Sequence, residues 1–236
     1  MRKINIEDFC DDILKNYKRI GVDAVELAIS DSKTLSVQTR NVKLENIESS
    51  SGVGISLNVI IGKKQATLKA NNLDGINAVD FLDKGKFMAE SALEDPFAGL
   101  PDKEEYAKNI QDLDLEDKSR LDKNSLTNLA LQAENDMLSV KNVTNTEGGN
   151  ASTSKNKITF LSSKGFSKSY YKTFHSISAI AIAGKNTGMQ RDYDYSAAIH
   201  LEDLKNPSEI GKKAGERAVA RLNSKKIKSC VLDVVF

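Results

Sequence analysis

Metal-dependent peptide hydrolysis on a helix needs two imidazoles on one face and a carboxylate base. The sequence has two histidines, His175 and His200, 25 positions apart. No His-x-x-x-His or His-Glu-x-x-His pair can form, so this stretch of chain builds no such site by itself. His175 sits among strand-forming residues and His200 precedes a charged loop. Each reads as a surface or hydrogen-bonding residue. A serine nucleophile needs a base and an orienting group. Gly165-Phe166-Ser167 lacks the second glycine of a Gly-x-Ser-x-Gly elbow. Cys10 falls on or beside the apolar stripe of a helix and reads as a buried, inert thiol. Cys230 reads the same way, and two cysteines so far apart make neither a disulfide framework nor a metal cluster.

Gly52-Val53-Gly54 opens like a dinucleotide fingerprint, but it leads into a strand and has no third glycine. A phosphate cradle needs a helix N-terminus at that point. Glu147-Gly148-Gly149-Asn150 reads as a turn. The pairs Asp11-Asp12 and Glu104-Glu105 read as solvated helix faces. Arg191-Asp192-Tyr193-Asp194-Tyr195-Ser196 is the most unusual segment. Strand alternation puts both aspartates on one side and both tyrosines on the other. It reads either as an edge strand with one polar and one aromatic face, or as a surface that orders a peptide or partner chain by strand addition. The candidate residues of that surface are Arg191, Asp192, Tyr193 and Tyr195. No residue is assigned a catalytic or metal-binding role.

The elements that position these groups follow from periodicity. Ile6, Phe9, Ile13, Leu14, Tyr17 and Ile20 form a helical stripe over residues 5–20, with Asn5 as N-cap and Gly21 as the stop. Residues 22–29 predict a strand, and Leu35 and Val37 begin a second that continues past Asn41 through Val42, Leu44 and Ile47. Residues 52–61 alternate strictly, turn at Gly62-Lys63, and return over 65–70. A helix is predicted over 72–93, ended by Pro96. Residues 96–101 read as an extended boundary. The charged stretch 102–123 has weak helical character. Another helix covers 124–139. Residues 140–200 read as strands and turns, clearest at 158–161, 166–171 and 177–183. The last helix has Asn206 as cap, Pro207 at the first position and Glu209 three residues past the cap. The chain closes on the apolar, strand-like run Cys230 to Phe236, which reads as truncation of a longer chain or else as a central strand that docks back. Helix, antiparallel strands, helices and strands again predict an α+β fold, an antiparallel sheet packed with helices.

The 236 residues carry a net charge of +1 from 34 basic and 33 acidic side chains. A duplex binder shows a basic excess or stripe. The run Lys225, Lys226, Lys228 reads as a solvated helix end. Direct nucleic-acid binding is therefore not expected. No apolar run reaches membrane-spanning length and no leader precedes the first helix, so a cytoplasmic protein without membrane attachment is expected.

Four segments resemble the TldD/PmbA family, also called the modulator of DNA gyrase family. They are residues 42–66, Glu94-Asp95-Pro96-Phe97-Ala98-Gly99-Leu100, Met189 to Ser196 continuing to Glu202-Asp203-Leu204, and Ala218-Val219-Ala220-Arg221-Leu222 with Lys225-Lys226. Their order and spacing are similar to the PmbA (TldE) branch across nearly the whole chain. The resemblance implies an N-terminal α/β domain over residues 1–112, a central α+β domain over 113–227, and at 228–236 the first strand of a C-terminal domain that is absent here. It also implies a metal-binding histidine motif in the later domain of TldD-type members, with zinc expected only in such a partner and no cofactor in this chain. PmbA-type members pair with a TldD-like subunit in a protease acting on unfolded or leader peptides, and a homodimer is the other expected assembly. Many PmbA-like members have Arg where this chain has Ile199. The leading expectation is thus a non-catalytic N-terminal portion of a PmbA-like subunit. The alternative is a free-standing peptide- or protein-binding module without protease activity.

Overall fold

The computed structural model describes residues 6–226 and 228–235. Four helices and six strands are present among them: α1 (Ile6–Asn16), β1 (Ala24–Arg40), β2 (Lys43–Ile61), β3 (Lys64–Ala70), α2 (Ala78–Ser91), α3 (Lys123–Leu138), β4 (Val143–Ser162), β5 (Ser167–Ala183), β6 (Gln190–Ala198) and α4 (Pro207–Ala220). The strands form one antiparallel sheet in the order β3-β2-β1-β4-β5-β6. This is the α+β architecture expected from the sequence.

Several boundaries differ. The two strands predicted between residues 22 and 47 are one strand, β1, up to Arg40. The polar run Ser30-Asp31-Ser32-Lys33 does not break it, because ladder bonds come from the backbone and need no apolar side chain. Likewise β2 starts at Lys43 and carries Ser49-Ser50-Ser51 within it, so Gly52-Val53-Gly54 is strand interior. The turn between β1 and β2 is the pair Asn41 (φ 52°) and Val42 (φ 57°), the backbone of a type I′ hairpin. The helix expected from residue 72 begins at Ala78, where the Asn77 side chain accepts from the Val79 and Asp80 amides. Glu147-Gly148-Gly149-Asn150 is not a turn but the interior of β4. Glu104-Glu105 lies in a turn rather than a helix, and Glu105 accepts there from the Asp102 amide at 2.7 Å. The Asn5 cap and Phe236 lie outside the described residues. The run from Cys230 to Val235, expected as a strand, has no ladder partner among the described residues and is irregular.

Two compact units make up the chain, and each draws on three segments. Unit 1 comprises residues 1–35, 49–119 and 153–174. Its core holds Phe9 and Ile13 of α1, Val25 and Leu27 of β1, Leu57 and Val59 of β2, and Phe81 and Leu82 of α2. Phe9 and Phe81 meet with ring centroids 6.0 Å apart. Full burial of each such side chain contributes about 1.5–3 kcal/mol.

Unit 2 comprises residues 36–48, 120–152 and 175–236. Here α3 and α4 pack on each other and α4 packs on β6. Around the large buried side chains of Leu126, Met137, Ile177 and Ile210, the interior is lined by small ones, including Ala130 and Ala133 of α3, Ala179 and Ala181 of β5, and Ala214 and Ala218 of α4, all fully buried. Backbones approach closely. A Cβ on Gly211 would stand 2.0 Å from the Ala133 carbonyl oxygen, and one on Gly149 2.2 Å from that of Ala130. Asn206 caps α4 by accepting from the Ser208 amide, with Pro207 at the first turn as expected. Asp122 caps α3 through the Ser125 amide and hydroxyl. Those bonds, the amide bond first, hold the Asp122 carboxyl below the usual carboxylate range.

Candidate functional site

Strand β6 lies at one end of the sheet order and carries Arg191, Asp192, Tyr193 and Tyr195. Its partner is β5, with Arg191 opposite Ile182, Tyr193 opposite Ile180 and Tyr195 opposite Ser178. The period of two divides the side chains between two faces. Tyr193 and Tyr195 are exposed, with stacked rings 6.3 Å apart at 28°. Arg191 shares their face, and its Nε donates to Glu147 Oε2 at 2.9 Å. Ser176, Ser178 and Ile180 of β5 complete a shallow open groove with these three residues. The groove offers aromatic faces, hydroxyls and a guanidinium.

Asp192 is not part of that groove. It and Asp194 occupy the opposite face, toward α4. Arg217 Nη1 donates to Asp194 Oδ1 at 2.7 Å and to the Tyr193 carbonyl at 3.1 Å. Arg221 Nε pairs with Asp192 Oδ2. Burial pushes the Asp192 carboxyl up. The Tyr193 amide, the Arg221 bond, and the charges of Arg221 and Arg217 outweigh that push, so its pKa lies below the ordinary value. Of the four candidate residues, the structure therefore brings three together as a surface and turns the fourth into a structural clamp. Sequence reading missed Arg217 and Arg221. Their spacing of four, which puts both on one helical face, was the available signal.

The remaining sequence candidates fall elsewhere. Cys10 is buried in unit 1, and burial first, then Asp11 and Glu7, push its thiol up to about 11. Cys230, expected to be buried, is exposed. It lies in the irregular final segment, where nothing packs over it among the described residues. His175, expected as a surface or hydrogen-bonding residue, is a β5 core residue at 1% exposure. His200 sits at the start of a short 3-10 turn, Leu201–Asp203. Among the described residues no group of three or more His, Cys, Asp or Glu side chains could hold a metal ion. The one histidine within a strand interior and the other at a turn do not fit a metallopeptidase donor set. Buried Glu134 of α3 accepts from the Val42 amide at 3.2 Å, tying the β1–β2 turn to the helix.

Residues 25–93 match the family described as PmbA/TldA metallopeptidase domain 1, and residues 108–222 match the PmbA/TldA metallopeptidase central domain. The chain belongs to the PmbA/TldD family. It is 30% identical over 215 residues to Metalloprotease PmbA of Escherichia coli O157:H7, covering 91% of this chain and 48% of that protein. It is 25% identical to the Metalloprotease PmbA homolog of Haemophilus influenzae, over 90% of this chain and 48% of the relative. Among solved structures, a Bacteroides thetaiotaomicron protein described as a modulator of DNA gyrase superposes with a TM-score of 0.81 at 21% identity, over 94% of this chain and 51% of that one. TldE from Thermococcus kodakarensis superposes with a TM-score of 0.67 at 13% identity, over 89% and 47%. At those identities the likeness speaks for the fold. The chain spans about half the length of the curated relatives it matches. No helix among the described residues is long and apolar enough to cross a membrane.

Proposed function

We propose that this chain is the N-terminal, non-catalytic portion of a PmbA-like subunit in a TldD/TldE-type metalloprotease acting on unfolded or leader peptides. The observation that carries the reading is the consecutive match to both N-terminal family domains, over residues 25–93 and 108–222, within half the length of the named metalloproteases. In this reading residues 1–112 and 113–227 are the first and central domains, and 228–236 enter a third. Zinc belongs to a TldD-type partner. The Arg191, Tyr193, Tyr195 groove serves as a peptide or partner surface, since it holds stacked aromatic rings and an arginine on an end strand. Such a surface suits strand addition or aromatic anchoring.

Co-expression with a TldD-like subunit tests this. The expected result is a stable complex containing the chain, while the chain alone cleaves no unstructured peptide in a chelator-sensitive way. Chelator-sensitive cleavage by the chain alone would overturn the non-catalytic reading. Failure to form a complex, either with the TldD-like subunit or with itself, would favour a free-standing binding module.

A further inference from the structure

We propose that the open face of the β4–β5 hairpin in unit 1 docks an acidic, extended polypeptide segment with an aromatic or apolar residue between its carboxylates. The proposal does not depend on the protease reading. It starts from a segregation of charge. The chain is nearly neutral at +1, yet from Gly148 to Gln190 it has six lysines and no Asp or Glu. Residues 153–174, the hairpin part of unit 1, hold five of those lysines and five aromatic rings.

The opposite charge is concentrated in residues 94–117, with nine acidic side chains against two lysines. That segment forms no helix or strand, and it runs along the hairpin within unit 1. Asp102 meets Lys164 at 3.5 Å, and Glu116 pairs with Lys155. The Tyr106 ring stacks on Phe166 at 4.8 Å, and its hydroxyl lies 2.9 Å from Ser162 Oγ. The Thr173 amide donates to the Leu115 carbonyl at 3.0 Å. The molecule thus shows what this hairpin holds: an extended, acidic chain with an aromatic anchor.

The internal strap reaches the second face of the hairpin only at its turn end, where Tyr106 meets Ser162 and Phe166. Among the described residues the ion pairs of the hairpin lysines fall on Lys155 and Lys164. Lys168, Tyr170, Lys172 and Phe174 alternate along β5, so they share the other face, and all four are exposed. The Ser162 amide donates to the Phe166 carbonyl, and Ser152 and Ser176 meet side chain to side chain, which places Phe160 opposite Lys168 on this face. Phe160, Tyr170 and Phe174 remain 38%, 40% and 44% exposed. Lysines on the stretch of β5 before its His175–Ala183 pairing with β6 also deter unwanted pairing, but deterrence alone does not account for three bare rings beside them. Lys168 and Lys172 stand about 13 Å apart along the strand. An extended peptide with carboxylates four residues apart and a ring midway matches that spacing.

The test is fluorescence anisotropy of the 236-residue chain with a labelled Glu-Ser-Tyr-Ser-Glu repeat peptide. Saturable binding that weakens with added salt is expected. The Lys168→Glu/Lys172→Glu double variant is expected to weaken it about tenfold. Lys225→Glu/Lys226→Glu serves as the charge control and keeps binding unchanged, with circular dichroism melts confirming that both variants fold. No saturable binding at low salt, or equal loss in both double variants, overturns the proposal. Displacement of the peptide by a single-stranded oligothymidylate of equal charge at lower concentration also overturns it, and assigns the face to nucleic acid.

Discussion

Unit 1 and unit 2 hide their interiors from water by different means. Unit 1 fills its core with large side chains: Phe9, Ile13, Leu27, Leu57, Phe81 and Leu82. Unit 2 buries large side chains too, Leu126, Met137, Ile177 and Ile210, but adds close backbone approaches over alanine and glycine and buried polar groups such as Thr39, Glu134, His175 and Asp194. The first kind of core is stabilised by transfer of apolar area, and the second adds close van der Waals contact and polar pairs such as Arg217–Asp194 and Val42–Glu134. Damage to unit 1 should therefore come mainly from removing atoms, while unit 2 should also be damaged by adding them at its close backbone contacts.

The largest expected effect tests the first half of that contrast. Leu82→Ala, at a fully buried α2 position, should lower unfolding stability by about 3–4 kcal/mol in urea titration. A loss below about 1 kcal/mol would show that unit 1 is loosely packed. Next is Gly211→Ala, where the new Cβ meets the Ala133 carbonyl. A loss of about 2–3 kcal/mol is expected, although the substitution favours helix propensity by about 1 kcal/mol. Stabilisation instead would break the comparison. The Arg217→Ala variant leaves buried Asp194 without its guanidinium. About 1–3 kcal/mol should be lost. Keeping the charge with Arg217→Lys should avoid only part of that loss, because a point charge cannot reproduce both Arg217 bonds.

The smallest effects sharpen the contrast through chemistry. Cys10 in the unit 1 core should resist a disulfide reagent in the native chain, while exposed Cys230 reacts at once. Titration should thus count one fast thiol native and two after denaturation. The lowered Asp192 pKa carries a sign. Its stabilisation is present above the unfolded carboxylate value and is lost as pH falls through the lower folded value. Acid titration of Asp192→Asn should accordingly show a shallower loss of stability below about pH 4 than the parent chain.

Much of this was legible in the sequence. Asn206-Pro207 marked the start of α4, Gly62-Lys63 marked the β2–β3 turn, and the 3.6-residue stripes marked α1 and α3. The alternation of tyrosine and aspartate in β6 was also readable from residues 191–196. These signals work because they depend on neighbours a few positions away. The errors came where distant chain decides. The polar run inside β1 stays in the ladder because β4, more than 100 residues away, lies beside it, as Thr39 does with Gly149, and β2 pairs with β1 in turn. The double glycine of β4 reads locally as a turn, whereas in the strand its reasons are the proximity of the Ala130 and Thr39 carbonyls and, at Gly148, a φ of 111°.

By itself the sequence determined the α+β class, the four helices, the family and the aromatic face of β6. Tertiary structure decided that Asp192 and Asp194 belong to α4 rather than to the groove, that His175 is core, and that the acidic 94–117 segment lies along a basic hairpin. Local periodicity fixes which way a side chain points along its own element. Which group waits there is fixed only when segments far apart in the chain are brought within a few ångströms, where charge and packing act.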